Sequence, residues 1–102
     1  MPLKKMKLYI DTHDQRSGTF PAGISKQDFA AFFAKYEQAC RDEGMVVLRA
    51  HVSLQDGRDY CFSMAPSAEH VHRAHAAAGL GFESITEVMT LTPGDLFLEP
   101  PV

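Results

Sequence analysis

A chain of 102 residues, 45% of them apolar, is long enough to build one hydrophobic core without disulfide or metal staples. Its formal charge of −3 provides no basic face to neutralise phosphates, and its one cationic cluster is Lys4, Lys5 and Lys7, so nucleic acid is excluded as a partner. No apolar run approaches a membrane span or a signal-peptide core, which predicts a soluble cytoplasmic protein, and Cys40 and Cys61, lacking CxxC spacing, read as reduced, half-buried thiols.

Residues 6–11 alternate, with Met6, Leu8 and Ile10 on one side and Lys7, Tyr9 and Asp11 on the other, and this predicts a first strand. Residues 12–23, THDQRSGTFPAG, collect Gly, Pro, Ser and Asp and predict a loop long enough to carry function. Ser25 caps the first helix, with Asp28 three residues on as a carboxylate version of the capping box. Ile24 is placed to staple onto Phe29. Phe29, Phe32, Phe33, Tyr36 and Cys40 recur at three- and four-residue spacing and read as a core-facing stripe, which Gly44 ends.

The second strand, residues 45–54, sets Val46, Leu48, Ala50, Val52 and Leu54 against Val47, Arg49, His51 and Ser53. Asp56-Gly57 marks a hairpin turn. A two-residue loop would put Tyr60 and Phe62 beside Ser53 and His51. A three-residue loop pairs Val52 with Tyr60 and Ala50 with Phe62, which keeps the large apolar groups together. The expectation is therefore a type I turn with Gly57 left-handed as a bulge.

In the third strand Tyr60, Phe62 and Met64 alternate with Cys61 and Ser63, and Pro66-Ser67 breaks it. Ser67 is the expected side-chain cap of a second helix, Glu69 suits its first turn, and Gly79 supplies its left-handed stop. Along this helix Val71, Ala74, His75 and Ala78 form one stripe facing the sheet. His70 and His72 lie at its borders, and Glu69 and Arg73 make an i,i+4 pair on the solvated side. Residues 85–91 begin a last strand. The tail, residues 92–102, contains the apolar triplet Leu96, Phe97 and Leu98, which either packs along its own sheet edge or grips a dimer partner.

The order strand, helix, strand, strand, helix, strand predicts an α+β, ferredoxin-like β-α-β-β-α-β domain spanning residues 1–102, with its core over 6–91 and an antiparallel sheet in the order 4-1-3-2. Both helices are expected on the face carrying Leu8, Ile10, Leu48, Ala50, Tyr60 and Phe62. The opposite face mixes Tyr9, Asp11, Val47, Arg49, His51, Cys61 and Ser63. It is expected to pack on a second copy, giving a homodimer of the dimeric α/β-barrel type.

The run YCFSMAPSAEHVHRAHAAAGLGFESITEV, with the earlier IDTHD and GMVVLRAHV, resembles a family of short bacterial ferredoxin-like proteins that includes nickel-binding members. The similarity extends from about Leu8 to Val88 and is most specific at APSAE, HRAH and ITEV. It implies a dimer of ferredoxin-like subunits and, in some members, binding of nickel or another divalent transition metal. His13 and His75 are the matching positions, and the chain departs from the family pattern with Asp14 after His13 and a longer C-terminal tail.

Topology supports the same grouping, because the end of the first strand and the end of the second helix share one rim of the domain. His13, His75, Asp11 and Asp14 are the candidate ligands, imidazole and carboxylate being suitable donors for nickel, zinc or copper. The plainer alternatives are a hydrogen-bonded core histidine at 75 and a loop histidine bonded to Asp11 or Asp14 at 13. His51 and Arg49 read as polar groups of a dimer interface. Two other functions stay open: a dimeric α/β-barrel enzyme or small-ligand binder with a cleft lined by Tyr9, Tyr60 and the phenylalanines, or an interaction module without ligand. No Ser-His-Asp or Cys-His arrangement has motif context.

Overall fold

The computed structural model describes residues 5–101, so Lys4 of the cationic cluster and Val102 of the tail lie outside the described residues. The elements are β1 (Lys7–Asp14), a 3-10 turn (Gln15–Ser17), α1 (Lys26–Asp42), β2 (Val46–Ser53), β3 (Arg58–Ala65), α2 (Ala68–Ala78), β4 (Ser84–Val88) and a short α3 (Pro93–Phe97). The four strands form one antiparallel sheet in the order β2-β3-β1-β4, which is the expected 4-1-3-2 read from the other edge. This is a small α+β fold of ferredoxin-like order. No helix among the described residues is long and apolar enough to cross a membrane.

Local signals set most boundaries. The Ser25 hydroxyl accepts from the Asp28 backbone N–H and opens α1. Gly44 and Gly79 follow the two long helices at φ 72° and 70°, where a side chain would be strained. Ser67 differs from expectation: its side chain makes no cap bond and instead pairs with His70 Nδ1 at 2.7 Å. The first strand runs on through Thr12, His13 and Asp14, so the predicted loop begins three residues late, at Gln15.

The two sheet faces are the reverse of the prediction. The helices cover Tyr9, Asp11, His13, Asp59, Cys61, Ser63 and Ala65, while Leu8, Ile10, Tyr60, Phe62 and Met64 lie half-buried on the open side. Strand alternation defines two sets of residues but not which set is covered. Here Cys61 and Ala65 let Ala39, Cys40, Val71, Ala74 and Ala78 of the helices approach closely, and this small-on-small packing takes the core.

The hairpin differs as well. Its loop has four residues, 54–57, not three, so Ser53 pairs with Arg58, His51 with Tyr60 and Arg49 with Phe62. A register irregularity at Leu48, between Val47 and Arg49, then turns both Val47 and Ala50 toward the helix side. Gly57 is left-handed as expected, at φ 67°.

The aromatic stripe of α1 is core only in its second half. Tyr36, Ala39 and Cys40 are buried, whereas Phe29 and Phe33 are half-buried and Phe32 is exposed. In the tail, Thr92 and Asp95 form a full capping box for α3. The triplet does not pack along its own sheet edge, since Leu96, Phe97 and Leu98 are all exposed, Phe97 at 80%.

Candidate metal centre

Asp11 lies in the middle of β1, on the face beneath the helices, and the two-residue period puts His13 on the same face. His75 belongs to the inward stripe Val71–Ala74–Ala78 near the end of α2 and is 1% exposed. The three side chains converge. His13 Nε2 lies 2.8 Å and His75 Nε2 3.2 Å from the same oxygen, Asp11 Oδ2. One donor atom from each residue falls within 4.8 Å of the other two.

Packing holds the imidazoles in place. Their rings stack at 5.4 Å between centroids, and His75 is flanked by Tyr36 at 4.6 Å and the edge of Phe82 at 5.2 Å. His75 Nδ1 is 2.8 Å from the carbonyl oxygen of Val71, a contact in which the ring nitrogen can only donate. A neutral ring then has its lone pair on Nε2, aimed at the carboxylate. Backbone carbonyls that fix the far nitrogen are the usual partners of metal-ligating histidines.

Charge is distributed unevenly here. Burial alone would raise the Asp11 carboxyl, but the hydrogen bonds from His13 and His75 outweigh it and hold the group below its ordinary value. Burial disfavours the charged His13 ring, yet the Asp11 hydrogen bond and its negative charge prevail and raise its pKa. Asp59, directly across the ladder from His13, is pushed up to about 6 by burial, with Asp11 adding repulsion and His13 opposing it. Burial raises both thiols, Cys40 to about 11 and Cys61 further, so neither offers a thiolate at neutral pH.

The remaining predicted residues go elsewhere. Asp14 is buried but outside the convergent group: it accepts from Arg16 Nη2 at 2.9 Å and Arg58 Nε at 3.1 Å, and it caps the 3-10 turn through the Arg16 backbone N–H. The Arg16 hydrogen bonds lower its carboxyl to about 2. His51 is exposed on the open face, its Nε2 accepting from Arg49 Nε at 3.1 Å, with both side chains against the Phe62 ring. Sequence reasoning missed Asp59 and took Tyr36 for plain core. The pairing His13↔Asp59 was implicit in the strand order, and carrying the Cys61–Ser63 alternation one step back puts Asp59 on the face of Asp11 and His13.

The donor set fits a divalent transition metal. Two imidazole nitrogens and one carboxylate are borderline donors of the kind nickel, cobalt and zinc accept, and they leave coordination positions open. Asp11 Oδ1 is buried without a hydrogen-bond partner, which leaves a strong acceptor unused at the centre of the group.

Comparison with known proteins gives the fold relative and the family. The crystal structure of SCO4226 from Streptomyces coelicolor A3(2) is 28% identical to this chain, superposes with a TM-score of 0.71, and the match covers 83% of this chain and 99% of that one. No curated protein matches the chain in sequence. The model of the family described as nickel responsive protein SCO4226-like matches residues 9–88, which include Asp11, His13, Asp59 and His75, and the chain therefore belongs to the SCO4226-like family of nickel responsive proteins.

Proposed function

We propose that this protein is a small cytoplasmic binder of a divalent transition metal, nickel foremost, that holds the ion on Asp11, His13 and His75 and works as a homodimer. The observation that carries the metal reading is the convergence of two imidazoles, one of them oriented by a backbone carbonyl, on one oxygen of a buried carboxylate. A cation held there would neutralise the buried carboxylate and use the imidazole lone pairs that face it. The family's nickel response supports the choice of metal, and the high thiol pKa values of Cys40 and Cys61 argue against a sulfur site. When bound, such an ion supplies a Lewis-acidic centre with open positions. The residues themselves bind and orient: Val71 aims the His75 ring, Tyr36 and Phe82 keep it from turning away, and His13 stacks on it.

The dimer reading is supported by the open sheet face. Leu8, Ile10, Phe62 and Met64 lie there half-covered, and Val46 and Leu48 are 44% exposed, more apolar area than a lone sheet face ordinarily leaves in water. A second copy applying the same face would cover it, with Leu96–Leu98 as an arm reaching across.

Calorimetric titration of chelator-treated, untagged protein with nickel tests the metal reading. The parent is expected to take one ion per chain with a Kd on the order of micromolar or tighter, and His13→Ala and His75→Ala to bind at least about tenfold more weakly. Circular dichroism checks that the variants remain folded. A parent that takes no metal, or folded variants that match it, would overturn the assignment.

A further inference from the structure

Beside the ligand triad, between the first turns of α1 and the sheet, lies a cavity of about 60 Å³. Its lining includes an aromatic run, Phe20, Phe29 and Phe33, whose rings follow one another at 6.1 and 6.0 Å. Its floor is polar, made by Asp11, His13, Asp59 and Tyr36. Three atoms of that floor, Asp11 Oδ1, Asp59 Oδ1 and Tyr36 Oη, are buried without any hydrogen-bond partner, and Asp59 and Tyr36 are only 7% and 4% exposed. Leaving such atoms unpaired is costly, and an apolar-walled pocket with a few convergent polar groups is the usual form of a small-ligand site.

Resting on the metal reading above, we infer that this cavity admits an uncharged five-membered nitrogen heterocycle of the imidazole class as a co-ligand of the triad-bound ion. Size, charge and hydrogen bonding each point to that class. The space is small enough that its guest is one small ring and not an extended ligand. Asp11 and Asp59 together offset the two charges of a divalent ion, so an anionic guest meets no net attraction while a neutral nitrogen donor needs none. An azole that gives its lone pair to the metal still carries an N–H on the far side of the ring, and Asp59 Oδ1 and Tyr36 Oη are free to accept it. The flat faces of Phe29 and Phe33 are suited to a planar ring.

The experiment uses nickel-loaded protein titrated with imidazole, pyridine and acetate, read by the visible absorption of the nickel centre and by nickel retained after gel filtration. Imidazole is expected to bind one per chain, to shift the absorption band, and to bind at least about tenfold more tightly than acetate, with pyridine between because it has the donor nitrogen but no N–H. Phe29→Ala and Phe33→Ala are expected to weaken imidazole about fivefold or more while leaving nickel affinity within about twofold. Nickel-loaded protein that binds imidazole no better than acetate, or phenylalanine variants that bind it as the parent does, would overturn the co-ligand and leave the metal site standing. A protein that takes up no nickel overturns the metal reading, and this inference with it.

Discussion

Replacing Asp59 with Asn removes a buried charge while keeping the side-chain shape. Asp59 is 7% exposed, one of its oxygens has no partner, and burial raises its carboxyl from 3.8 to about 6. The folded chain therefore binds this proton more tightly than the unfolded chain does. The stability so gained is full below the unfolded pKa and is lost as pH rises through about 6. At about 1.4 kcal/mol for each unit between those two values, the ionised group costs the folded protein about 3 kcal/mol at pH 8 and under about 1 kcal/mol at pH 4. Asn has no such titration, so the stability of Asp59→Asn relative to the parent should increase by about 2 kcal/mol between pH 4 and pH 8. Urea unfolding of metal-free protein followed by circular dichroism at several pH values measures this directly. A difference between variant and parent that stays constant with pH, or moves in the opposite direction, would refute the reasoning.

Other outcomes follow from the same contacts. Asp14→Asn should lower the melting temperature at neutral pH, and the difference should shrink as pH falls from the unfolded pKa of 3.8 through about 2, because the Arg16-held carboxylate contributes only while ionised; its nickel affinity should stay within about twofold of the parent's by calorimetry. Gly57→Ala should destabilise by about 1 kcal/mol or more in chemical denaturation, since the residue sits at φ 67° and an added Cβ would fall on the Gln15 side chain. Phe62→Lys, which places a charge in the middle of the open face, should halve the mass seen by light scattering while the far-ultraviolet circular dichroism stays that of the parent. An unchanged mass would remove this face from the proposed dimer.

The order of elements and the sheet topology were legible because each rests on local chemistry: Ser25 opening α1, Gly44 and Gly79 closing the helices, and period-two runs between them. His75 was legible as an inward residue from the Val71–Ala74–Ala78 stripe, and His13 from its place just past the predicted strand. What the sequence did not reveal was which sheet face the helices would choose. That choice depends on how closely Cys61 and Ala65 let Ala39, Val71 and Ala74 approach, a three-dimensional fit that alternation does not encode. The one-residue error in hairpin loop length followed from assuming that the large apolar residues form the core, and starting the third strand at Tyr60 left Asp59 out of it. Asp14 was grouped with His13 by sequence adjacency, but neighbours on a strand face opposite ways, and the bonds from Arg16 and Arg58 settle its direction.

Anomalous diffraction at the nickel absorption edge, from crystals of nickel-loaded protein, bears most immediately on where the ion sits. A single strong peak per chain bonded to His13, His75 and Asp11 is the expected result. A peak on surface histidines such as His51 or His72, or none inside the fold, would contradict it.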